Sequence, residues 1–170
     1  MKSHELNWDT RTIDHQDYSN GAHSCSYIKS TDIIGGNFLS SDFSDSKLEK
    51  STFNSSRLSA IDLNRSIIKD VLFKSCKINA ASFIQSKCKK VIFSECDLSD
   101  SDFQGAEIIN VVFKDCDITN VNFSHAICKN IDLRGSKLNG ARFSSDQLKA
   151  LTIDLSQASY VALLSGVKIT

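Results

Sequence analysis

The strongest constraint on the fold of this chain is an apolar period of five residues. Steps of five from Ile28 to Ile153 meet an apolar side chain at all 26 positions, and all ten phenylalanines of the chain fall on this series. The 3.6-residue period of a helix and the two-residue period of a strand do not produce this pattern. The five-residue unit is therefore the predicted structural repeat of the chain.

A second series runs two residues before the first, and its members are small or β-branched and uncharged up to Ala141. Between residues 26 and 145, all 16 Lys and Arg and all 14 Asp and Glu occupy the other three positions of the unit. Each unit thus points one large and one small side chain inward. A single unit cannot bury these side chains, so the pattern predicts a solenoid whose stacked coils lie about 4.8 Å apart.

Several units also carry a sequence motif, among them IDLNR at residues 61–65, CDLSD at 96–100 and IDLRG at 131–135. These units resemble the A(D/N)LXX motif of the pentapeptide-repeat family, and the resemblance covers about residues 26–145. It implies an all-β solenoid, a right-handed quadrilateral β-helix of about six coils with a short C-terminal helical cap. The periodicity alone leaves the handedness and the number of sides open.

Three segments are predicted from where the repeat is regular. Residues 1–25 form an N-terminal cap or an imperfect first coil, residues 26–145 form the β-helix, and residues 146–170 form a helical cap that is also a dimerisation segment. Ser145 or Ser156 is expected to cap short helices in the last segment, and Gly166 to end the last helix.

The last segment is similar to the C-terminal stretch of family members that protect DNA gyrase. That similarity implies a two-fold homodimer, and the alternative is a monomeric cap that uses the same side chains. The expected dimer residues are Leu155, Tyr160, Val161 and Leu164.

Catalytic chemistry is not expected. The four histidines are scattered along the chain, and no nucleophile motif is found in the sequence. We therefore expect no enzyme, no small-molecule substrate and no cofactor.

Three cysteines, Cys76, Cys96 and Cys116, are spaced by twenty residues, which stacks them in one column if four units make a coil. Stacked parallel side chains do not converge on one point, so we expect packing and no metal site, and the same for Cys88 and Cys128.

The chain has 20 basic and 20 acidic residues, so its formal net charge is zero and it has no strong overall electrostatic field. A four-sided coil would nevertheless gather a basic face, centred on residues 28, 48, 68, 88, 108 and 128, and an acidic edge. The basic face is Lys29, Lys47, Lys50, Lys69, Lys87, Lys89, Lys90 and Lys129, and the acidic edge is Asp42, Asp62, Asp97, Asp100, Asp102 and Asp117. Both are candidate interaction surfaces, and ordinary solvated charge is the alternative reading.

Two main functions remain open on the sequence, and a third idea is that the lysine face docks on a phosphate backbone or an anionic lipid. The resemblance to Qnr-like family members implies a protein that binds DNA gyrase, a topoisomerase, and protects it from quinolones or toxins. The alternative is a general interaction scaffold, or an effector or immunity module, for another protein. Nucleic acid is not the expected partner, because all ten phenylalanines point inward, whereas base stacking needs aromatic residues interleaved along the outer surface. No apolar segment suggests a signal peptide or a transmembrane segment, so a cytoplasmic location is expected.

Overall fold

The chain forms a solenoid of parallel coils in a computed structural model that describes residues 4–168. Each residue pairs with the residue twenty positions later, as in the column Phe53, Phe73, Phe93 and Phe113. Twenty residues per coil and five per unit give four sides. The prediction of an all-β solenoid with a short C-terminal helix is confirmed, with about seven coils instead of six.

The additional coil lies at the N-terminal end. Strand β1 (Asn7–Asp14) pairs in register with β2 (Tyr27–Ile34), so the segment before residue 26 contributes a coil of its own. Trp8 fills its first large inward position and is buried. Arg11 and Gln16, which occupy two of its small positions, are exposed. Residues 1–3 of this segment and residues 169–170 of the C-terminal segment lie outside the described residues.

The four sides are here numbered as faces. Face 1 is centred on residues 28, 48, 68, 88, 108 and 128, and faces 2, 3 and 4 follow at steps of five residues. Faces 1 and 2 carry the strands, whereas faces 3 and 4 are joined by isolated bridges such as Asp97↔Asp117 and Asp102↔Asn122. The remaining strands are β3 (Lys47–Glu49), β4 (Thr52–Asn54), β5 (Ile67–Lys69), β6 (Leu72–Lys74), β7 (Lys87–Lys89), β8 (Ile92–Ser94), β9 (Glu107–Lys114), β10 (Ile127–Asp132) and β11 (Leu151–Thr152).

The corners between faces are made by left-handed backbone. Every fifth residue from Thr10 to Gly140 has a positive φ, including Arg65 at 57° and Lys90 at 53°. This conformation costs a residue with a Cβ about 1–2 kcal/mol. Hydrogen bonds between coils offset that cost, for example from the Phe103 amide to the next coil, at 2.8 Å from the carbonyl oxygen of Asn122. The chain contains no proline, which would remove such a donor.

The inward phenylalanines form two stacks along the shaft. On face 2 the rings of Phe53, Phe73, Phe93 and Phe113 follow one another at centroid distances of 5.0 Å. On face 4 the ring of Phe103 lies 4.3 Å from that of Phe83 and 5.4 Å from that of Phe123. The two stacks meet edge to face, which is a favourable geometry for aromatic pairs. The inward series is fully buried through Phe123, and Cys128 and Phe143 are half-buried near the C-terminal end.

Serines fit the small inward position because their hydroxyl groups find backbone partners. The Ser136 hydroxyl donates to the carbonyl oxygen of Phe113 at 2.8 Å and accepts from the Cys116 amide at 2.9 Å. Among residues 4–168, no buried side-chain nitrogen or oxygen lacks a hydrogen-bond partner. Polar residues therefore enter this core without leaving unpaired groups.

Two buried glutamines close the C-terminal end of the shaft. The Gln147 carboxamide donates to the carbonyl oxygens of Phe123 and Ala126, both at 2.7 Å. Gln157 does the same for Leu133 and Ser136, also at 2.7 Å. These carboxamides donate to carbonyl oxygens that would accept from backbone amides if a further coil followed.

Three short helices surround these glutamines: 3-10 helices at Gln147–Ala150 and Leu155–Gln157, and helix α1 at Ala158–Leu164. The prediction that Ser145 or Ser156 caps a helix is wrong. Asp154 caps the second 3-10 helix in a reciprocal pair with Gln157, because a carboxylate at that position reaches the Gln157 amide. Gly166 follows α1 with a φ of 79°, as predicted for a helix end.

The core predicts a large effect of removing one phenylalanine ring from the middle of a stack. Phe103→Ala leaves a cavity between Phe83 and Phe123 and should lower the free energy of unfolding by about 3–5 kcal/mol. The double variant Lys89→Ser with Lys90→Ser changes only exposed side chains and should stay within about 0.5 kcal/mol. Urea unfolding at equilibrium measures both, and equal midpoints for Phe103→Ala and the unchanged chain would contradict the inward register.

Candidate functional site

The buried cysteines pack in the core of the shaft. Cys76, Cys96 and Cys116 form one column between faces 2 and 3, and each is 2% exposed. The Cys76 and Cys96 thiols donate to the carbonyl oxygens of Phe53 and Phe73 in the preceding coil, at 3.3 and 3.4 Å. Within residues 4–168, no group of three or more His, Cys, Asp or Glu side chains is arranged to hold a metal ion.

The protonation of these thiols follows from the same surroundings. Hydrogen bonding to Cys96 and burial raise the pKa of Cys76 and of Cys116, and hydrogen bonds from these two neighbours lower the pKa of Cys96. Burial raises the pKa of Cys88 to about 12 and that of Cys128 to about 11. Cys96 is enclosed by the shaft and is not accessible to a substrate.

The eight lysines predicted for the basic face lie together along face 1 and its corner with face 2. Lys47 pairs with Glu49 at 3.1 Å and Lys89 with Glu107 at 3.0 Å. The other six form no ion pair within the described part of the chain, and they are Lys29, Lys50, Lys69, Lys87, Lys90 and Lys129. Eight lysines against Glu49, Asp70 and Glu107 leave this face with a formal charge of +5.

The predicted acidic edge is spread over two adjoining faces. Asp97 and Asp117 lie on face 3, Asp42, Asp62 and Asp102 on face 4, and Asp100 at the corner between them. Most of these carboxylates are engaged with the backbone. Asp97 accepts from the Ser99 amide at 3.1 Å and Asp102 from the Gln104 amide at 2.8 Å, and Asp42, Asp62 and Asp117 make the same contact two residues on.

These contacts give the acidic edge a structural role that the sequence analysis missed. Hydrogen bonds from Thr119 and the ion pair with Lys137 lower the pKa of Asp117, as expected for a carboxylate that is held by donors. Asp100 instead accepts from the side-chain amide of Asn120 at 3.0 Å. The acidic residues thus stabilise the turns of faces 3 and 4 as well as charging them.

Outward aliphatic residues are concentrated on faces 1 and 2, and the sequence analysis did not consider them. Leu72, Ile92 and Val112 stand in register on face 2, and Ile92 is 44% exposed. Leu72, Ile92 and Val112 are here called the aliphatic stripe. The signal was available in the sequence, because these residues share one outward position of the repeat at steps of twenty.

The C-terminal segment combines packed and exposed apolar residues. Of the predicted dimer residues, Tyr160 and Val161 pack against the core, and the Tyr160 hydroxyl donates to the carbonyl oxygen of Ala141 at 3.2 Å. Leu164 is half-buried. Leu155 is 91% exposed, and two residues outside the predicted set, Leu163 and Val167, are 56% and 53% exposed.

A family model described as "Pentapeptide repeat region" matches residues 86–163. No curated protein matches the chain. None of the helices in the part of the chain described here is long and apolar enough to cross a membrane.

Several solved structures are similar to this chain. Full-length QnrB1, a plasmid-mediated fluoroquinolone resistance protein, matches at 20% identity over 98% of this chain and 100% of its own, with a TM-score of 0.43. A pentapeptide repeat protein of the Arabidopsis thaliana thylakoid lumen matches at 24% identity over 66% and 72% of the two chains, with a TM-score of 0.42. HetL of Nostoc sp. strain PCC 7120, a pentapeptide repeat protein involved in the regulation of heterocyst differentiation, matches at 13% identity over 88% and 90%, with a TM-score of 0.33.

From the contacts of the Asp97 carboxylate, we predict that Asp97→Asn destabilises the chain less than Asp97→Ala. Asp97→Ala removes the acceptor for the Ser99 amide and hydroxyl and should destabilise the chain by about 1 kcal/mol. Asp97→Asn keeps an acceptor oxygen at that point and should cost less than half as much. Thermal unfolding of the two variants distinguishes the roles, and equal losses would show that the charge of Asp97, and not its acceptor, stabilises the turn.

Proposed function

We propose that this pentapeptide-repeat chain is a non-enzymatic scaffold that binds another protein on the outer faces of its shaft. The observation that carries the proposal is the division of each repeat unit. The two inward positions are buried along the shaft, while the three outward positions line up in columns twenty residues apart. Such columns offer a partner a rigid and regular surface.

Reactive groups do not favour catalysis. The thiols of Cys76, Cys88, Cys96 and Cys116 are buried, and the serines of the small inward positions donate to backbone carbonyl groups. A nucleophile needs access to substrate and a nearby base. We therefore propose that the chain is not an enzyme.

The partner that we propose first is DNA gyrase or another topoisomerase, which the chain would protect from quinolones or toxins. The support is the resemblance of the repeat units and of the C-terminal segment to family members that bind gyrase. The alternative is a scaffold, effector or immunity module for a different protein. The zero net charge and the lysine-rich face 1 favour that alternative, since imitation of a DNA duplex requires dense negative charge.

We place this function in the cytoplasm. All six cysteines are free, although the chain is rich enough in cysteine for several disulfides. Free thiols are typical of proteins in a reducing compartment.

A supercoiling assay tests the first partner. DNA gyrase is inhibited with ciprofloxacin in the presence and absence of the purified chain. A gyrase-protecting protein restores supercoiling when it is in several-fold molar excess over gyrase, and a heat-unfolded sample provides the control. No rescue and no inhibition at that excess would contradict gyrase as the partner and leave the scaffold proposal with another protein.

We also propose that two copies of the chain join end to end through the C-terminal segment. Leu155, Leu163 and Val167 remain exposed although Tyr160 and Val161 already cover the last coil. A two-fold contact between identical caps would bury these side chains, and it is the commonest symmetry of soluble oligomers.

Light scattering coupled to size exclusion tests this dimer. The expected mass is twice the 18.8 kDa of one chain at micromolar concentration. Leu155→Asp should reduce it to one chain without changing the unfolding temperature, because Leu155 makes little contact with its own coil. Ile84→Asp, on the side of the shaft, should leave the dimer intact. A mass of one chain for the unchanged protein would contradict the proposal.

A further inference from the structure

The aliphatic stripe is an apolar surface in the middle of the shaft, in which Ile92 is exposed and Leu72 and Val112 are half-buried. Leu72 pairs in register with Ile92 and Ile92 with Val112, so the three side chains stand one above another over about 10 Å. Ile67 and Ile109 are outward aliphatic residues of face 1. The opposite faces carry only two outward aliphatic residues of this size in the described chain, Leu39 and Ile84. The apolar surface is therefore confined to one side.

Lysines border this stripe on both sides. Lys69, Lys89 and Lys90 stand on the face 1 side, and Lys74 and Lys114 on the other side. The acidic residues beside these lysines are Asp70, Glu95 and Asp115, and Asp132, which follows Val112 in the column of the stripe, is paired with Arg134. Five lysines against Asp70, Glu95 and Asp115 leave a local charge of +2. Of these five lysines, only Lys89 has an ion-pair partner among the residues that the structure describes, which is Glu107 at 3.0 Å.

We propose that the aliphatic stripe is the docking site for an acidic amphipathic helix of a partner protein, which lies along the shaft axis. This inference rests on the proposed scaffold function and specifies its surface. An α-helix has a pitch of 5.4 Å, and the coils of the shaft repeat at about 4.8 Å. One apolar side chain per helical turn can therefore contact one residue of the aliphatic stripe. Glutamates or aspartates on either side of that apolar row face the lysines.

The spacing and the chemistry favour a helix over other occupants. A nucleic acid would place phosphates against the lysines but would leave Leu72, Ile92 and Val112 in contact with a charged backbone. A second copy of the chain offers its acidic residues on faces 3 and 4, where Asp97 and Asp102 already bind backbone amides and few aliphatic residues accompany them. The helix is the occupant that satisfies both the apolar row and the flanking charges.

The test uses the full chain and a synthetic peptide of about 18 residues, a length at which an isolated helix is marginal in water. The peptide carries leucine at each turn on one side, glutamates on both sides of the leucines and alanine elsewhere. A reference peptide has lysine in place of every glutamate. Calorimetry measures affinity, and circular dichroism measures helix formation on binding. We expect the acidic peptide to bind and gain helix, and the basic peptide to bind at least tenfold more weakly.

Matched variants locate the site. Ile92→Asp should weaken binding of the acidic peptide at least tenfold, whereas Ile84→Asp, an outward isoleucine on face 4, should change it less than twofold. Lys74→Glu with Lys90→Glu gives a second probe that leaves the apolar residues in place, and it should reverse the preference between the two peptides. Circular dichroism confirms that each variant is folded.

Several results would overturn the inference: no binding of the acidic peptide, equal affinity in the Ile92 and Ile84 variants, or equal affinity for the two peptides. Duplex DNA that binds in an Ile92-dependent manner would identify a nucleic-acid surface instead. A change of oligomeric mass in Ile92→Asp would identify a contact between copies. These results concern the stripe alone, because the gyrase assay tests the proposed gyrase partner without the peptide.

Discussion

The structure depends on hydrogen bonds between neighbouring coils, which hold residues twenty positions apart in register. On each face the backbone donates to the coils on either side, as when Asp102 donates to Ala81 and Phe103 donates to Asn122, at 2.9 and 2.8 Å. This register fixes the distance between coils, stacks Phe83, Phe103 and Phe123, and compensates the left-handed corners, which are unfavourable in isolation. Without it, neither the inward packing nor the outward columns would exist.

The same register determines what the surface can do. Since the two inward positions of a unit are occupied by the core, variation is confined to the outward positions, and identical positions on successive coils form continuous columns. A column of lysines or of aliphatic side chains is then a surface with a defined spacing. Not every outward position is free to vary, because Asp97 and Asp102 accept hydrogen bonds from backbone amides and stabilise the turns of their own faces. Face 1 and face 2 are freer to meet a partner.

Much of the fold could be predicted from the sequence because the inward residues are chemically distinct from the rest. The corners could not, because left-handed backbone at Arg65, Gln85 and Lys90 is imposed by the coil and those residue types do not signal it. The first coil was uncertain because Arg11 interrupts its small series. The roles of Gln147 and Asp97 depend on which carbonyl or amide lies nearby, which only the folded register determines. The lysines lie together on face 1 and the aspartates are divided between faces 3 and 4, and the contacts of both groups were not foreseen.

Residue-specific amide hydrogen exchange tests the central claim most directly, because faces 3 and 4 contain isolated bridges in place of continuous strands. If bonds between coils hold all four faces, the amides of Asp102 and Phe103 on face 4 should exchange as slowly as those of Val112 and Phe113 in strand β9. Protection should also decrease from the middle coils towards both ends. Fast exchange throughout faces 3 and 4 beside slow exchange in the strands would contradict the account, since it would describe a two-faced sheet with loose loops.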